Sequence, residues 1–447
     1  MLRGLKWVGL VLALLIAVAA LAPWRPALVD QMTALVDQMT AKPYRQWAEA
    51  NVRTLDLDAP DAKFAFDEAF YDNRLILMGE LHGTADPHVL DLALIRHLRE
   101  RAGLQWLMAE LDFAQSTLVN FYLMSGEEKY LAPIFEHWAA ETAQWASNEY
   151  YEKLRGLRAY NQTLAPGERI RVFGVDRIQS VDVALDVLKD YMEAQDFLTV
   201  TASTDGTAPD WAAMLAPAFA EGAGEEARLG AVNAALFAAE TLPASVRDKG
   251  FVHLLRNLAA LDEGATRYET ILANIAAMTA VFGVGDDEPL YGFWGLFHAT
   301  RAPVNGTSRP LALRLYKEGP FAGSVGTISF LYTNSASMMP SASLPEPMRG
   351  EGAYTEMPFA QNVPYLYYQR GIYDLTSVAG DARASLFRIS GEGSPYAGSG
   401  RLGGATGLMT GLGEMTVEAA DPPAYDYIIL SQGSPALTPY IGETEKN

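Results

Sequence analysis

The sequence predicts an α/β fold: a mostly parallel central sheet flanked by helices, with a helical insertion. Two patterns predict it. From residue 70 onward, short apolar runs of strand length alternate with longer segments whose apolar residues recur at helical spacing, the signature of a sheet covered on both faces. Residues 181–280 are mostly helical in pattern and alanine-rich, too long for a simple crossover.

Before the sheet comes a different kind of segment. Arg3 and Lys6 precede a run from Trp7 to Trp24 that contains no charge. Eighteen residues at 1.5 Å each span about 27 Å, just short of a bilayer core. A signal peptide has the same layout, with Ala20-Leu21-Ala22 as the cleavage pattern. Pro23 disfavours cleavage, and the flanking tryptophans suit an interfacial anchor. Residues 1–26 are therefore read as a membrane anchor or a signal peptide, with a buried helix as the bland alternative. Either membrane reading exports the rest of the chain to the periplasmic side of the inner membrane, anchored or released. Residues 27–69 read as a helical stalk or linker. They open with an exact tandem heptad, ALVDQMT at 27–33 and 34–40, which places Leu28, Met32, Leu35 and Met39 on one helical stripe. Two heptads are too few for a coiled coil, so the segment reads as a spacer or a docking helix.

The domain proper is expected over 70–435, with a tail at 436–447. Arg74–Gly79 reads as its first strand, Pro87–Arg101 as a helix with proline near its start, and Leu104–Ala109 as a second strand. Helical segments follow to Tyr160, and Ile170–Val175 is a third strand after the turn Pro166-Gly167. The helical insertion at about 181–280 is broken by a loop at 203–210. Leu290–Phe297, Val325–Tyr332 and Tyr425–Leu430 restore strand character. The glycine-rich stretch 391–413 is expected to be a long loop. The last apolar run argues that the chain returns to the same sheet.

Composition narrows the function. The chain of 447 residues has 54 acidic and 34 basic side chains, a formal charge of −20, which argues against nucleic acid as a partner. It has no cysteine, which excludes disulfides, thiolate metal sites and a cysteine nucleophile. Six histidines remain as bases or nitrogen ligands.

Parallel sheets bind ligands beyond the carboxyl ends of their strands. The first strand ends in Glu80 and His82, the second in Glu110 and Asp112, the third in Asp176 and Arg177, and the fourth in His298 and Arg301. Residues two apart in extended chain project to the same side, so Glu80 and His82 can face one pocket, as can Glu110 and Asp112. A carboxylate beside an imidazole orients it as a general base for water. There is no Gly-x-Ser-x-Gly, HExxH, GxxxxGK[ST] or post-strand GxGxxG. Metal ligation by these oxygen and nitrogen groups stays open, although no two histidines share a compact ligand spacing. His88, His97 and His137 read as structural, and His253 as surface or core-edge.

ILMGELHGTADPHVLDLALIRHL, which ends near residue 98, resembles the opening motif of the erythromycin esterase-like proteins. That family lies in a wider group that also contains the haem-binding ChaN-like and Tiki-type proteins. AELD at 109–112, the stretch 157–180 with its Gly-x-Asp, RYETILANIAAM at 267–278, FWGLFHATR at 293–301 and YDYIIL at 425–430 follow in the same order. The resemblance implies a hydrolase in which His82 activates water, while Glu80 and Glu110 orient it or relay protons. Arg267 and His298 would bind substrate or stabilise an oxyanion, and Asp112, Asp176, Arg177 and Arg301 would line the substrate site. The expected substrate is a small-molecule ester or amide. No cofactor is required by this reading. The Glu80-Leu81-His82 spacing matches the ChaN-like branch instead, which keeps a divalent metal or haem as the alternative. The esterases carry two histidines three apart on the late strand; here the earlier position is Gly295, which suggests a degenerate scaffold as a third reading. Oligomeric state is not assigned.

Overall fold

The computed structural model describes residues 25–193, 209–243, 248–280, 282–285, 287–407, 417–420 and 422–441. Its strands are β1 Val52–Thr54, β2 Leu75–Glu80, β3 Trp106–Asp112, β4 Arg171–Asp176, β5 Leu290–Gly295, β6 Val325–Thr333 and β7 Ser335–Pro340. They continue with β8 Tyr354–Phe359, β9 Asn362–Val363, β10 Tyr367–Gln369, β11 Ala384–Arg388, β12 Ala405–Thr406 and β13 Tyr427–Gln432. Eight strands belong to a large, mostly parallel central sheet, and fourteen helices are described around it, so the α/β class holds. The chain divides into two compact units, the described residues to Ala93 with Gly295–Leu437, and Leu94–Trp294 with the described residues from Thr438.

In the first unit the sheet order is β1-β11-β13-β6-β2. β13 pairs parallel with β6 and β6 with β2, while β11 runs antiparallel to both β13 and β1. β2 and β6 are buried along their whole length, as continuous apolar runs in a covered sheet require. The last run does return to the sheet, but β13 lies inside it rather than at an edge. β1 and β11 carry no periodic signal, because three and five residues are too few to show one.

The helices of the segment 27–69 pack into the core of the first unit. The helix Arg25–Thr40 turns Ala34 and Asp37 inward, with Ala41 buried just beyond it, and leaves Leu35 53% and Met39 61% exposed. Of the stripe drawn from the heptads, Leu35 and Met39 thus face outward and Met32 is half-buried. A buried ion network decides the facing. Asp37 Oδ2 accepts from the Gly371 amide at 2.8 Å and the Tyr368 hydroxyl at 3.2 Å, and its Oδ1 faces Arg401 at 3.4 Å. Arg401 also forks onto Asp374 with two bonds of 2.8 Å and lies over the Tyr44 ring. A buried charge must keep its partners, and small alanines let the helix approach closely. The next helix, Lys42–Ala50, follows with Ala48 in the same core and Trp47 Nε1 donating to the Arg388 carbonyl at 2.8 Å.

In the second unit β3 pairs parallel with β4 and with β5. The helical insertion is present as Val181–Glu193, Trp211–Phe219, Glu225–Thr241, Lys249–Asp262 and Arg267–Ala280. Most of the loop expected at 203–210 lies outside the described residues, as does 408–413 of the glycine-rich stretch. His253 is a core residue, edge-on to Phe113 at 4.6 Å, not a surface one. Burial, aided by the Arg256 charge, lowers its pKa to about 4 and keeps it neutral.

Residues 1–24 of the expected anchor or signal lie outside the described residues. Among the described residues no helix is long and apolar enough to cross a membrane.

Candidate functional site

Glu80 closes β2 and is buried, whereas His82 is partly exposed on the loop that follows. His82 Nδ1 lies 2.5 Å from Glu80 Oε1. The spacing of two residues thus does bring the pair together. Oε2 of Glu80 is buried and makes no hydrogen bond among the described residues. A carboxylate facing Nδ1 holds the proton there and places the ring's basic lone pair on Nε2.

The loop that carries His82 is pinned at several points within the first unit. Gly83 has φ +95°, a left-handed conformation that a side chain resists. Its carbonyl accepts from the amides of Met338 at 2.8 Å and Leu437 at 2.9 Å, and Ser337 Oγ donates to the His82 carbonyl at 3.1 Å. The Ala85 amide donates to the Pro435 carbonyl at 3.0 Å. The residues expected to begin a tail at 436 therefore help to hold the loop in place. At its far end Asp86, buried at the start of helix Asp86–Ala102, is gripped by Arg383 and by Ser431 Oγ at 2.9 Å. His88 and His97 follow on that helix, both buried, as expected of structural residues.

The turn after β5 meets the end of β2. β5 ends at Gly295, so residues 296–299 form a turn and not the strand extension expected to Phe297. The Leu296 amide donates to the Glu80 carbonyl at 2.7 Å. Gly79 permits this approach: a Cβ there would lie 2.7 Å from the Ala299 Cβ and 3.1 Å from the Leu296 Cα. His298 rides on this turn, its amide bonded to the Gly295 carbonyl at 2.8 Å.

Tyr332, at the end of β6, lies outside the expected set of site residues. Its hydroxyl accepts from the Leu81 amide at 3.2 Å and contacts Thr84 Oγ1 at 3.3 Å. Burial, and the nearby charge of Glu80, push its phenol well above the usual range, so it stays protonated. The strand-end rule, applied to Val325–Tyr332, finds it.

The second unit gathers another group. Arg267, the first residue of its helix, binds Asp176 through Nε at 2.8 Å and Nη2 at 2.5 Å, and reaches Glu110 Oε1 at 2.6 Å. These carboxylates raise the guanidinium pKa further, so it is permanently charged. Asp176 also accepts from the Arg177 amide at 2.8 Å, while the Arg177 side chain is exposed. Asn274, on the same helix as Arg267, donates to the Val175 carbonyl at 3.0 Å and fixes the helix on β4.

Glu110 and Asp112 take different partners, and the β3–β4 register shifts between Ala109 and Asp112. Gly174 makes room for it, since a Cβ there would lie 2.1 Å from the Asp112 carbonyl oxygen. Asp112 is buried; its Oδ1 caps helix Phe113–Ser125 through the Gln115 amide and its Oδ2 accepts from the Gln179 amide, both at 2.9 Å. Burial, with a smaller contribution from Asp176, pushes its carboxyl up to about 6.

Arg301 is placed in the interior and not on a substrate face. It donates to the carbonyls of Val325 at 2.8 Å and Pro423 at 3.1 Å, and pairs with Asp426 at 2.7 Å. The turn at 296–299 carries the chain away from the strand direction before Arg301 is reached, so the strand-end rule does not apply to it. Among the described residues, no group of three or more histidine, aspartate or glutamate side chains is arranged to hold a metal ion.

No family model and no curated protein matches the sequence. Solved structures do match. A protein from Bacillus cereus shares 12% identity at a TM-score of 0.61, covering 90% of this chain and 100% of its own. A succinoglycan biosynthesis protein shares 12% at 0.63, covering 90% and 99%. A histidine-to-asparagine mutant of the erythromycin esterase EreC, in its open conformation, shares 14% at 0.52, covering 86% and 98%. At such identities the likeness is one of fold.

Proposed function

We propose that the protein is a hydrolase in which His82 activates water for attack on an ester or amide carbonyl. The observation that carries this reading is the 2.5 Å contact between His82 Nδ1 and the buried Glu80 carboxylate. With Nδ1–H directed at Glu80, Nε2 accepts a proton from water as the water oxygen bonds to the carbonyl carbon. The resulting imidazolium is stabilised by the adjacent carboxylate. Collapse of the tetrahedral intermediate breaks the bond to the leaving alcohol or amine, which takes its proton from Nε2–H. The fold-level likeness to an erythromycin esterase supports the reaction class but not a macrolide substrate.

His298 is assigned to the developing oxyanion, because its turn is bonded to Glu80 through the Leu296 amide. Export to the periplasmic side is kept in this proposal.

The test is a panel of small esters and amides with the purified full chain and with His82→Ala. Turnover that disappears in the variant while its melting curve is unchanged supports the reading. Turnover that survives His82→Ala overturns it.

A further inference from the structure

The helix Arg25–Thr40 has two working faces. Its inner face is fully committed, with Ala34 in the core and Asp37 held by Arg401, Gly371 and Tyr368. Its outer face presents Leu35, Val36 and Met39 to solvent, with Met32 half-buried beside them. On a helix these positions are neighbours three and four apart, so they form one continuous apolar strip about 10 Å long. Large apolar side chains clustered on an otherwise satisfied helix mark a contact surface.

We propose that this strip lies in the lipid–water interface of a bilayer of neutral lipids. Where the helix begins carries the argument. The eighteen residues that precede Arg25, Trp7 to Trp24, contain no charged side chain. The outward strip therefore starts within a few turns of an uncharged apolar run. A helix with one face docked and the other apolar suits burial at the headgroup boundary. A second copy of the chain is a poorer occupant. Three exposed side chains fall far short of the ~800 Å² per partner that a stable protein interface buries. The charge of −20 favours neutral over anionic lipid.

Because the chain has no cysteine, one introduced thiol labels a single place. Leu35→Cys, Met39→Cys and, as a control on an exposed apolar residue elsewhere, Met124→Cys are made in the full chain. Each carries an environment-sensitive fluorophore and is measured in detergent and after reconstitution into phosphatidylcholine vesicles. The expected result is a blue shift and a severalfold fall in iodide quenching at 35 and 39, with no change at 124. Unchanged quenching at 35 and 39, or an equal fall at 124, overturns the proposal. So does efficient disulfide formation between unlabelled Leu35→Cys chains without lipid, which would give the strip to a second copy. All three positions are solvent-exposed, so an unchanged melting curve certifies each variant.

Discussion

Glu80 and His82 are tied to each other at 2.5 Å and to the rest of the first unit through their backbones. The Glu80 carbonyl holds the turn that carries His298, and the His82 carbonyl accepts from Ser337. One short loop therefore ties together the end of β2, the turn at 296–299 and the start of β7. Changes to this loop act on geometry as well as on chemistry.

Glu80→Gln removes the charge that orients and stabilises the imidazolium while preserving the side-chain shape. The expected fall in kcat is about 10²- to 10⁴-fold, with little change in KM, as for an orienting carboxylate in a catalytic triad. Steady-state kinetics on any ester turned over by the native protein measures this. A loss below about threefold would mean that Glu80 serves structure alone.

Gly79→Ala drives a methyl into Ala299 and crowds Leu296. The expected destabilisation is about 1–3 kcal/mol, the usual cost of overpacking a core. Ala299→Gly in the same chain removes the closest contact and is expected to recover part of it. Urea unfolding of the single and double variants decides; equal stabilities would contradict the close approach.

Arg301→Met leaves Asp426 buried without its cation. The expected cost is about 3–5 kcal/mol, because breaking a buried pair leaves an uncompensated charge. A substrate-binding arginine would instead raise KM at unchanged melting temperature, so the two measurements separate the roles.

Asp112 makes stability depend on pH. Its folded pKa, about 6, exceeds the usual value of 3.8. The folded state therefore holds the proton more tightly, and stability falls as pH rises from about 4 to about 6. Asp112→Asn does not titrate. Relative to that variant, the native chain is expected to lose on the order of 2–3 kcal/mol across this window. Unfolding of both proteins at pH 4, 5, 6 and 7 tests it, and a constant difference would refute it.

Much of the fold was legible because it depends on local pattern. Buried parallel strands must be apolar along their length, so RLILMG, IRVFGV and YDYIIL announce themselves. The Glu80–His82 pair was legible too, since two residues in extended chain fix which side chains meet. What the sequence alone determined is therefore the α/β class, the strand that carries the pair, and the meeting of its two side chains. Only the tertiary structure decided which partners the other charges take. Asp112 became a helix cap because the amides of Gln115 and of Gln179, sixty-seven residues away, both meet its carboxylate, and Arg301 became an interior tie because Asp426 arrives from more than a hundred residues away. The same reason set the facing of the first helix. Its local pattern names a stripe but not what the helix packs against; the partners of Asp37 lie at 368, 371 and 401, and a buried carboxylate follows its partners.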